Sequence, residues 1–464
     1  MNFYDDLEKF SSNIALITDK SDSITYKNLQ FESDNIGSLV QKRSIVLLIG
    51  NNSRELITGY IGFLRRRAVI IFISDVTHIS FVEKLIKIYK PEFIFKPSNK
   101  FESKYKEIFK FFNYHLVKTE YKHDKLPNKN LALLLSTSGS TGSPKFVRQS
   151  YKNINCNTKS IASSLKISKK DRMITTLKPS YTYGLSMINT HIFKGASIII
   201  TNCSLVEKEF WKLLKKEKAT TFGGVPFMYE ILSRFNFSGM KLSSLKYITQ
   251  AGGKLNNEIL KKMNTACLKN KIKFYVMYGQ TEATARMSCL SWEYLKKKLG
   301  SIGKAIPGGK FYIFDKKKNT ISKKNTYGEL IYKGKNVSLG YAKKFSDLIK
   351  GDENKGVLFT GDLARKDKDN FYYIVGRKKR FSKIFGNRIN LDELEQNIKN
   401  LGYDCACVGN DRKIQIFLTN LRHRKYLERY IPKITSIHPS GFIYKKINNI
   451  PRSHSGKILY SNLN

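Results

Sequence analysis

An α/β fold is predicted by the order in which residues occur along the chain. Short β-rich apolar runs alternate with polar, helix-like stretches through most of its length. From about Gly308 the runs follow one another with close turns, and an amphipathic helical pattern comes after residue 380. The expected architecture is a large N-terminal domain of mostly parallel sheets with helices, carrying a small antiparallel β module, followed by a small α+β C-terminal domain. At 464 residues the chain is too long for one small core. The boundary is placed near Lys379, giving domains of 1–378 and 379–464.

The apolar runs are SIVLLIG (44–50), AVIIFI (68–73), EFIFK (92–96), NLALLLS (130–136), DRMITTL (171–177), ASIIIT (196–201), TTFGGVP (220–226), LKYITQAGG (245–253) and KFYVMYG (273–279). Each has strand length, and the polar stretches between them suit helical crossovers joining parallel strands. FYIFD (311–315), GELIYKG (328–334) and VLFTGDLA (357–364) make up the antiparallel module. After FYYIVGRKKR (371–380), Leu391, Leu394 and Ile398 of NLDELEQNIKN fall at helical spacing.

Apolar residues make up 41% of the chain and aromatics 12%, which excludes a disordered composition. The opening MNFYDDLEKF is acidic and polar, unlike a secretory signal, and no apolar run reaches the ~18 residues of a membrane helix. A cytoplasmic location is therefore expected. The six cysteines are scattered; only Cys405 and Cys407 are close, which is poor spacing for a metal site and suits reduced structural thiols. The 83 Lys+Arg against 37 Asp+Glu give a net charge of +46. The excess is spread: the 85 residues from Arg380 onward hold 15 basic and 6 acidic side chains, the density of the remainder. No basic arm or helix with interleaved aromatics stands out, so a nucleic-acid surface is not indicated. An acidic partner remains compatible with the charge.

STSGSTGSPK (136–145) carries chemistry. A Walker loop needs Lys directly after its last glycine and a hydroxyl residue next. Here Ser143 and Pro144 separate Gly142 from Lys145, and Phe146 follows, so that reading fails. The phosphate logic survives, because glycines let backbone N–H groups approach an anion while hydroxyls and one lysine add donors. The stretch follows LALLL (131–135), a strand expected to hold it at a sheet edge.

STSGSTGSPK resembles the phosphate loop of the acyl-adenylate-forming superfamily, which includes acyl-CoA synthetases, adenylation domains of peptide synthetases and luciferases. Further signatures recur in that family's order: PSYTYGLSMINTHIFKGASI (179–198), TQAGGKL (249–255), YGQTEAT (278–284), GELIYKG, TGDLA (360–364), GRKKRFSKIFGNRINLDELE (376–395) and PRSHSGKI (451–458). The resemblance spans nearly the whole chain. It implies joining a carboxylate to ATP as acyl-AMP, with Mg²⁺, and passing the acyl group to the thiol of CoA or of a carrier-protein phosphopantetheine. It also implies a mobile C-terminal domain.

By the same resemblance Ser138, Gly139, Ser140, Thr141, Gly142 and Lys145 would hold the β- and γ-phosphates. Tyr278 would cover one adenine face and Ala251, Gly252 and Gly253 the other. Thr281 would bond the α-phosphate, and Glu282 would hold Mg²⁺ as a hard oxygen ligand. Asp362 would take the ribose hydroxyls with Arg377 as a donor. Lys457 would bridge carboxylate and α-phosphate as charge builds. Lys379 would be the hinge, and Gly386 would admit the pantetheine thiol.

The acid pocket is expected at Tyr181, Thr182, Tyr183 and Gly184. Thr182 stands where adenylation domains for α-amino acids carry an aspartate, and a threonine cannot neutralise a buried ammonium. An ordinary small carboxylic acid is therefore expected. Val276 replaces a polar residue near the adenine amine of many relatives, and Tyr460 replaces a basic residue of the last signature. Two alternatives stay open: an amino-acid–carrier-protein ligase, and a non-catalytic basic nucleic-acid-binding protein that retains the fold. Pyrophosphate exchange over a panel of acids separates them.

Overall fold

The computed structural model describes residues 2–100, 105–137, 145–315, 320–321, 326–378, 380–385, 387–409, 412–422, 424–435, 437–453 and 456–463. All nine predicted apolar runs form strands, and they divide between two large sheets. In the first, Ile45–Gly50, Val69–Ser74, Phe93–Pro97 and Leu131–Ser136 are parallel. Antiparallel strands extend it on both sides: Tyr114–Lys118 and Lys106–Phe111 on one, Phe146–Ser150 and Gly340–Ala342 on the other. Leu131–Ser136 is thus third from an edge rather than at one, and it pairs with Phe146–Ser150 so that Ser136 lies opposite Phe146.

In the second sheet Ile14–Ile17, Ser197–Ile199, Arg172–Ile174, Thr221–Gly224, Tyr247–Gln250 and Lys273–Tyr278 are parallel. Ser23–Thr25 flanks them antiparallel at one end, Ser288–Leu290 and Lys304–Ala305 at the other.

Both central sheets are buried on two faces, which is why their strands read as continuous apolar runs. Along Ile45–Gly50, Val46 and Leu48 enter one core while Ile45, Leu47 and Ile49 enter another. The first of these cores joins both sheets through the helices Tyr26–Ser38, Arg54–Arg65, Tyr151–Ser164 and Thr182–Phe193. Ile79–Tyr89 covers the far face of the first sheet, and Lys208–Lys216, Pro226–Leu232 and Asn257–Lys269 that of the second. Hydroxyl caps start three of the inner helices: Thr25, Ser53 and Ser150 accept from the N–H groups of Asn28, Leu56 and Asn153.

The antiparallel module is a sheet of Gly309–Phe314, Gly328–Gly334, Val357–Lys366 and Tyr372–Arg377. Its register sets Asp362 opposite Arg377. Residues beyond it build a separate small core. The hairpin Phe381–Ile384 and Asn387–Asn390 leads into the helix Leu391–Asn400, whose Leu391, Leu394 and Ile398 are buried as the spacing predicts. The strands Cys405–Gly409, Ile414–Leu418 and Phe442–Lys446 form a mixed sheet beside the helix Arg424–Thr435. Lys379, the expected hinge, lies outside the described residues. The six cysteines are free thiols, and no described helix is long and apolar enough to cross a membrane.

A buried carboxylate organises this C-terminal unit. Glu395 accepts from Arg380 Nη2 at 2.5 Å, from the Cys407 N–H at 2.7 Å and from the Tyr460 hydroxyl at 2.9 Å. Arg380 also stacks over the Tyr460 ring, 3.7 Å from its centroid. Tyr460 thus has a structural use: it ties the turn Tyr460–Asn462 to the helix. Glu395→Ala leaves a half-buried guanidinium without its closest anion, and is expected to destabilise the unit by about 3 kcal/mol in urea unfolding. A change under about 0.5 kcal/mol, the usual range for surface substitutions, would contradict this assignment.

Candidate functional site

Three segments distant in sequence meet at Asp362, which is 4% exposed. Its Oδ2 accepts from the Tyr278 hydroxyl at 2.5 Å and from Gln280 Nε2 at 3.0 Å. Arg377 Nε lies 3.4 Å from Oδ1, as their facing positions in adjacent strands require. Burial pushes the Asp362 carboxyl above its ordinary pKa, while Arg377, Tyr278 and Gln280 pull it back. The same environment raises the Tyr278 phenol, first through burial and then through Asp362. Gln280 also donates to the Thr360 carbonyl at 3.0 Å, beside Gly361, which has φ +71° within the strand Val357–Lys366.

Beyond Tyr278 the chain turns through Thr281–Ala283. Thr281 is buried, and its carbonyl accepts from Gln149 Nε2 at 3.0 Å. Glu282 Oε1 accepts from the Tyr341 hydroxyl at 2.8 Å, and Lys145 Nζ sits 3.5 Å from the centre of the Tyr341 ring. Tyr341 therefore joins the lysine of the predicted phosphate loop to the predicted metal ligand. Its strand is held by Arg148, a fully buried guanidinium that donates to the carbonyls of Tyr341, Leu339 and Lys350 at 3.1, 2.8 and 2.6 Å and to Glu353. Ser138, Gly139, Ser140, Thr141, Gly142 and Gly386 lie outside the described residues.

Lys457 reaches this cluster from the C-terminal unit. Burial first and then Arg377 lower its pKa, Glu282 and Asp362 act to raise it, and it comes to about 8. Those three groups are the charges it feels most, although they lie on three other segments. The loop is seated by backbone and side-chain contacts: the Ser453 N–H donates to the Lys457 carbonyl at 2.7 Å, and a Cβ at Gly456 would lie 3.0 Å from Phe227 Cβ. Asn256 and Asn400 add a hydrogen bond of 2.8 Å between the second sheet's side and the C-terminal unit.

Ala251-Gly252-Gly253, expected against adenine, follows the strand Tyr247–Gln250. Gly252 has φ +91°, and a Cβ there would meet the Tyr181 hydroxyl at 2.6 Å. A Cβ on Gly253 would come within 3.2 Å of Pro226. Tyr183 packs against Tyr181 with ring centres 6.3 Å apart, and its hydroxyl donates to the Thr249 carbonyl at 2.8 Å. Thr182 and Gly184 have other partners. The Thr182 hydroxyl is bonded to the Thr284 carbonyl, and a Cβ at Gly184 would strike the Lys178 carbonyl oxygen at 2.5 Å. Of the four expected pocket residues, Tyr181 thus stands beside Gly252, with Tyr183 packed against it. Val276 is buried, facing the outer helices of the second sheet.

Tyr341 and Gln280 were not singled out by the sequence. Gln280 occupies the variable place in YGQTE, and Tyr341 is brought in only by pairing of Gly340–Ala342 with Phe146–Ser150.

Residues 3–342 match the family described as AMP-binding enzyme, and the chain belongs to that family. It is 28% identical over 273 residues to a long-chain-fatty-acid–CoA ligase of Bacillus subtilis, covering 58% of this chain and 48% of that protein. It is 24% identical over 343 residues to a medium-chain fatty-acid–CoA ligase of Escherichia coli, covering 71% and 60%. The chain spans about half the length of the curated relatives it matches. Its fold is similar to that of o-succinylbenzoate CoA synthetase from Bacillus subtilis in complex with an acyl-adenylate intermediate, with a TM-score of 0.81, 19% identity and 100% and 98% of the two chains covered. ATP-bound MatB from Rhodopseudomonas palustris superposes with a TM-score of 0.80 at 18% identity over the same shares.

The Asp362 cluster has a direct test. Asp362→Ala leaves the Tyr278 hydroxyl and the Gln280 amide without their shared acceptor, and is expected to destabilise the protein by about 2 kcal/mol in urea unfolding. Unchanged stability would mean that these groups are not held as described.

Proposed function

We propose that the protein activates a small carboxylic acid as acyl-AMP with ATP and then transfers the acyl group to a pantetheine thiol. The observation that carries this reading is the approach of Lys457 to Glu282, Asp362 and Arg377. Joining a carboxylate to a phosphate brings two anions together, so the step needs cations and fixed donors where the charge accumulates. A lysine delivered from a separate unit supplies one at the junction.

In the first step a carboxylate oxygen of the acid attacks the α-phosphorus. The acyl-O–P bond forms, the bond to the bridging oxygen of the β-phosphate breaks, and pyrophosphate leaves. Lys457 would neutralise charge on the acid and α-phosphate together, and Thr281 would orient the α-phosphate. Lys145, with residues 138–142, would hold the departing phosphates. Adenine would lie between Tyr278 and the Ala251-Gly252-Gly253 turn, with the ribose on Asp362 and Arg377. The Glu282 carboxylate suits Mg²⁺, which takes one or two carboxylates beside substrate phosphates rather than an all-protein cage. Among the described residues no group of three His, Cys, Asp or Glu side chains forms such a cage. When bound, the ion would neutralise phosphate charge.

In the second step the thiol sulfur attacks the acyl carbonyl and AMP leaves. We place the hinge at Lys379 between units 1–378 and 379–464, and the thiol's path at Gly386. CoA as acceptor is supported by the names of the matched relatives, and a carrier protein by the net charge of +46, which suits an acidic partner. Comparing CoA with an acidic phosphopantetheinyl carrier protein as acceptors at low and high salt separates the two, because only protein docking should weaken steeply with salt.

Acid-dependent exchange of labelled pyrophosphate into ATP tests the reading. Lys457→Ala should lower exchange by about 10²–10³-fold, the scale of one lost transition-state donor, yet spare thioester formation from supplied acyl-AMP. Equal loss of both steps, or no exchange with any acid, would overturn it. The lysine acts as the cation, so kcat/KM for exchange should be level below pH 8 and fall as the pH rises through about 8. A flat profile to pH 10 would contradict the role of Lys457.

A further inference from the structure

Arg286 lies three residues beyond the Thr281–Ala283 turn and is 2% exposed, yet among the described residues its Nε, Nη1 and Nη2 meet no carboxylate or carbonyl acceptor, and the polar side chain that acts on them is Tyr183. The comparison with Arg148 is direct. Arg148 is buried to the same degree, and its guanidinium donates to four backbone carbonyls and one carboxylate, the pattern of a structural arginine. Arg286 is held instead by its main chain. Its carbonyl accepts from Asn157 Nδ2 at 2.8 Å and Asn336 Nδ2 at 3.3 Å, and its N–H donates to Asn157 Oδ1 at 3.3 Å. The backbone is therefore pinned while the cationic head meets no anion among the described residues.

The position of that head gives it a use. The guanidinium stacks on the Tyr183 ring, 4.5 Å from its centre. Tyr183 packs on Tyr181, whose hydroxyl lies against Gly252 at the proposed nucleotide site. The groups acting most on its charge, after burial itself, are Tyr183, Cys289 and Tyr247, and burial keeps all three neutral by raising their own pKa values. An unpaired buried cation is strongly unfavourable, and a site that leaves one so is complementary to an anion brought in from outside.

We propose that Arg286 receives a second carboxylate on the acid, at the end away from the one activated, so that the preferred substrates are dicarboxylic acids. This rests on the adenylation reading above. A distal carboxylate can take two parallel N–H donors from the guanidinium while Tyr183 backs its face. A monocarboxylic acid of the same skeleton leaves the arginine unpaired in a dry site. Sites built to bond one polar group reject analogues lacking it by about 10⁴-fold.

The experiment is pyrophosphate exchange with matched pairs of acids: succinate and butanoate, adipate and hexanoate, terephthalate and benzoate. The wild-type protein should favour one or more diacids over the matched monoacid by at least about 10³-fold in kcat/KM. Arg286→Met, similar in length and uncharged, should cut the diacid value by at least about 10²-fold and narrow the preference. Thermal unfolding should show Arg286→Met at a higher Tm than wild type, because an unpaired buried charge is gone. Should that variant fail to fold, Arg286→Lys keeps the charge without the fork and should retain only part of the diacid preference. Exchange with monoacids alone, or diacid kcat/KM within twofold of wild type in Arg286→Met, would overturn the role of Arg286 and leave adenylation standing. Exchange with neither set overturns both.

Discussion

The burial of Asp362 is the constraint from which the rest of the site follows. A carboxylate removed from water must be given donors, and here they come from separate places: Tyr278 and Gln280 at the end of a strand of the second sheet, and Arg377 across the antiparallel module. Satisfying one anion thereby locks two sheets together at the point where the chain leaves for the C-terminal unit. Lys457 returns from that unit into the field of the same carboxylate. Because each element supplies one charge, no single segment can hold the cluster alone. Rotation of the C-terminal unit about residue 379, as we propose, would remove the lysine while leaving the Asp362 knot intact.

Buried cations divide the molecule into structural and functional charge. Arg148 and Arg380 have carboxylates and carbonyls placed around them, and they fasten the strand of Tyr341 and the C-terminal helix. Lys457 stands among Glu282, Asp362 and Arg377, and burial with Arg377 brings its pKa down to about 8. The Arg286 guanidinium meets no carboxylate among the described residues. The less the protein satisfies a charge itself, the more of its field is directed at a ligand. Surface lysines, which make up most of the excess charge, follow no such pattern and act at longer range, where salt screens them.

Much of the fold was legible because both large sheets are buried on two faces, so each central strand is a continuous apolar run bounded by polar helices. The helix at Leu391–Asn400 was equally plain from its spacing. The short strands Ile14–Ile17, Ser23–Thr25 and Ser288–Leu290 went unmarked, since three or four residues are too few for a periodic signal. At the site, linear motifs named residues that do converge, such as Tyr278, Asp362, Arg377 and Lys457. Tyr341 was invisible because strand pairing with Val147, far back along the chain, brings it to Lys145 and Glu282. Arg286 was invisible for another reason: one arginine among 83 basic residues carries no signal until its burial is known. Thr182, chosen by position, has its hydroxyl committed to a backbone carbonyl.

The fate of a carboxylate oxygen tests the central claim most directly. An acid that supports exchange is prepared with ¹⁸O in its carboxylate, turned over with ATP and the thiol acceptor, and the products are examined by mass spectrometry. Attack on the α-phosphorus predicts one ¹⁸O in AMP and none in pyrophosphate. Label in inorganic phosphate with ADP as product, or no label in AMP, would contradict it.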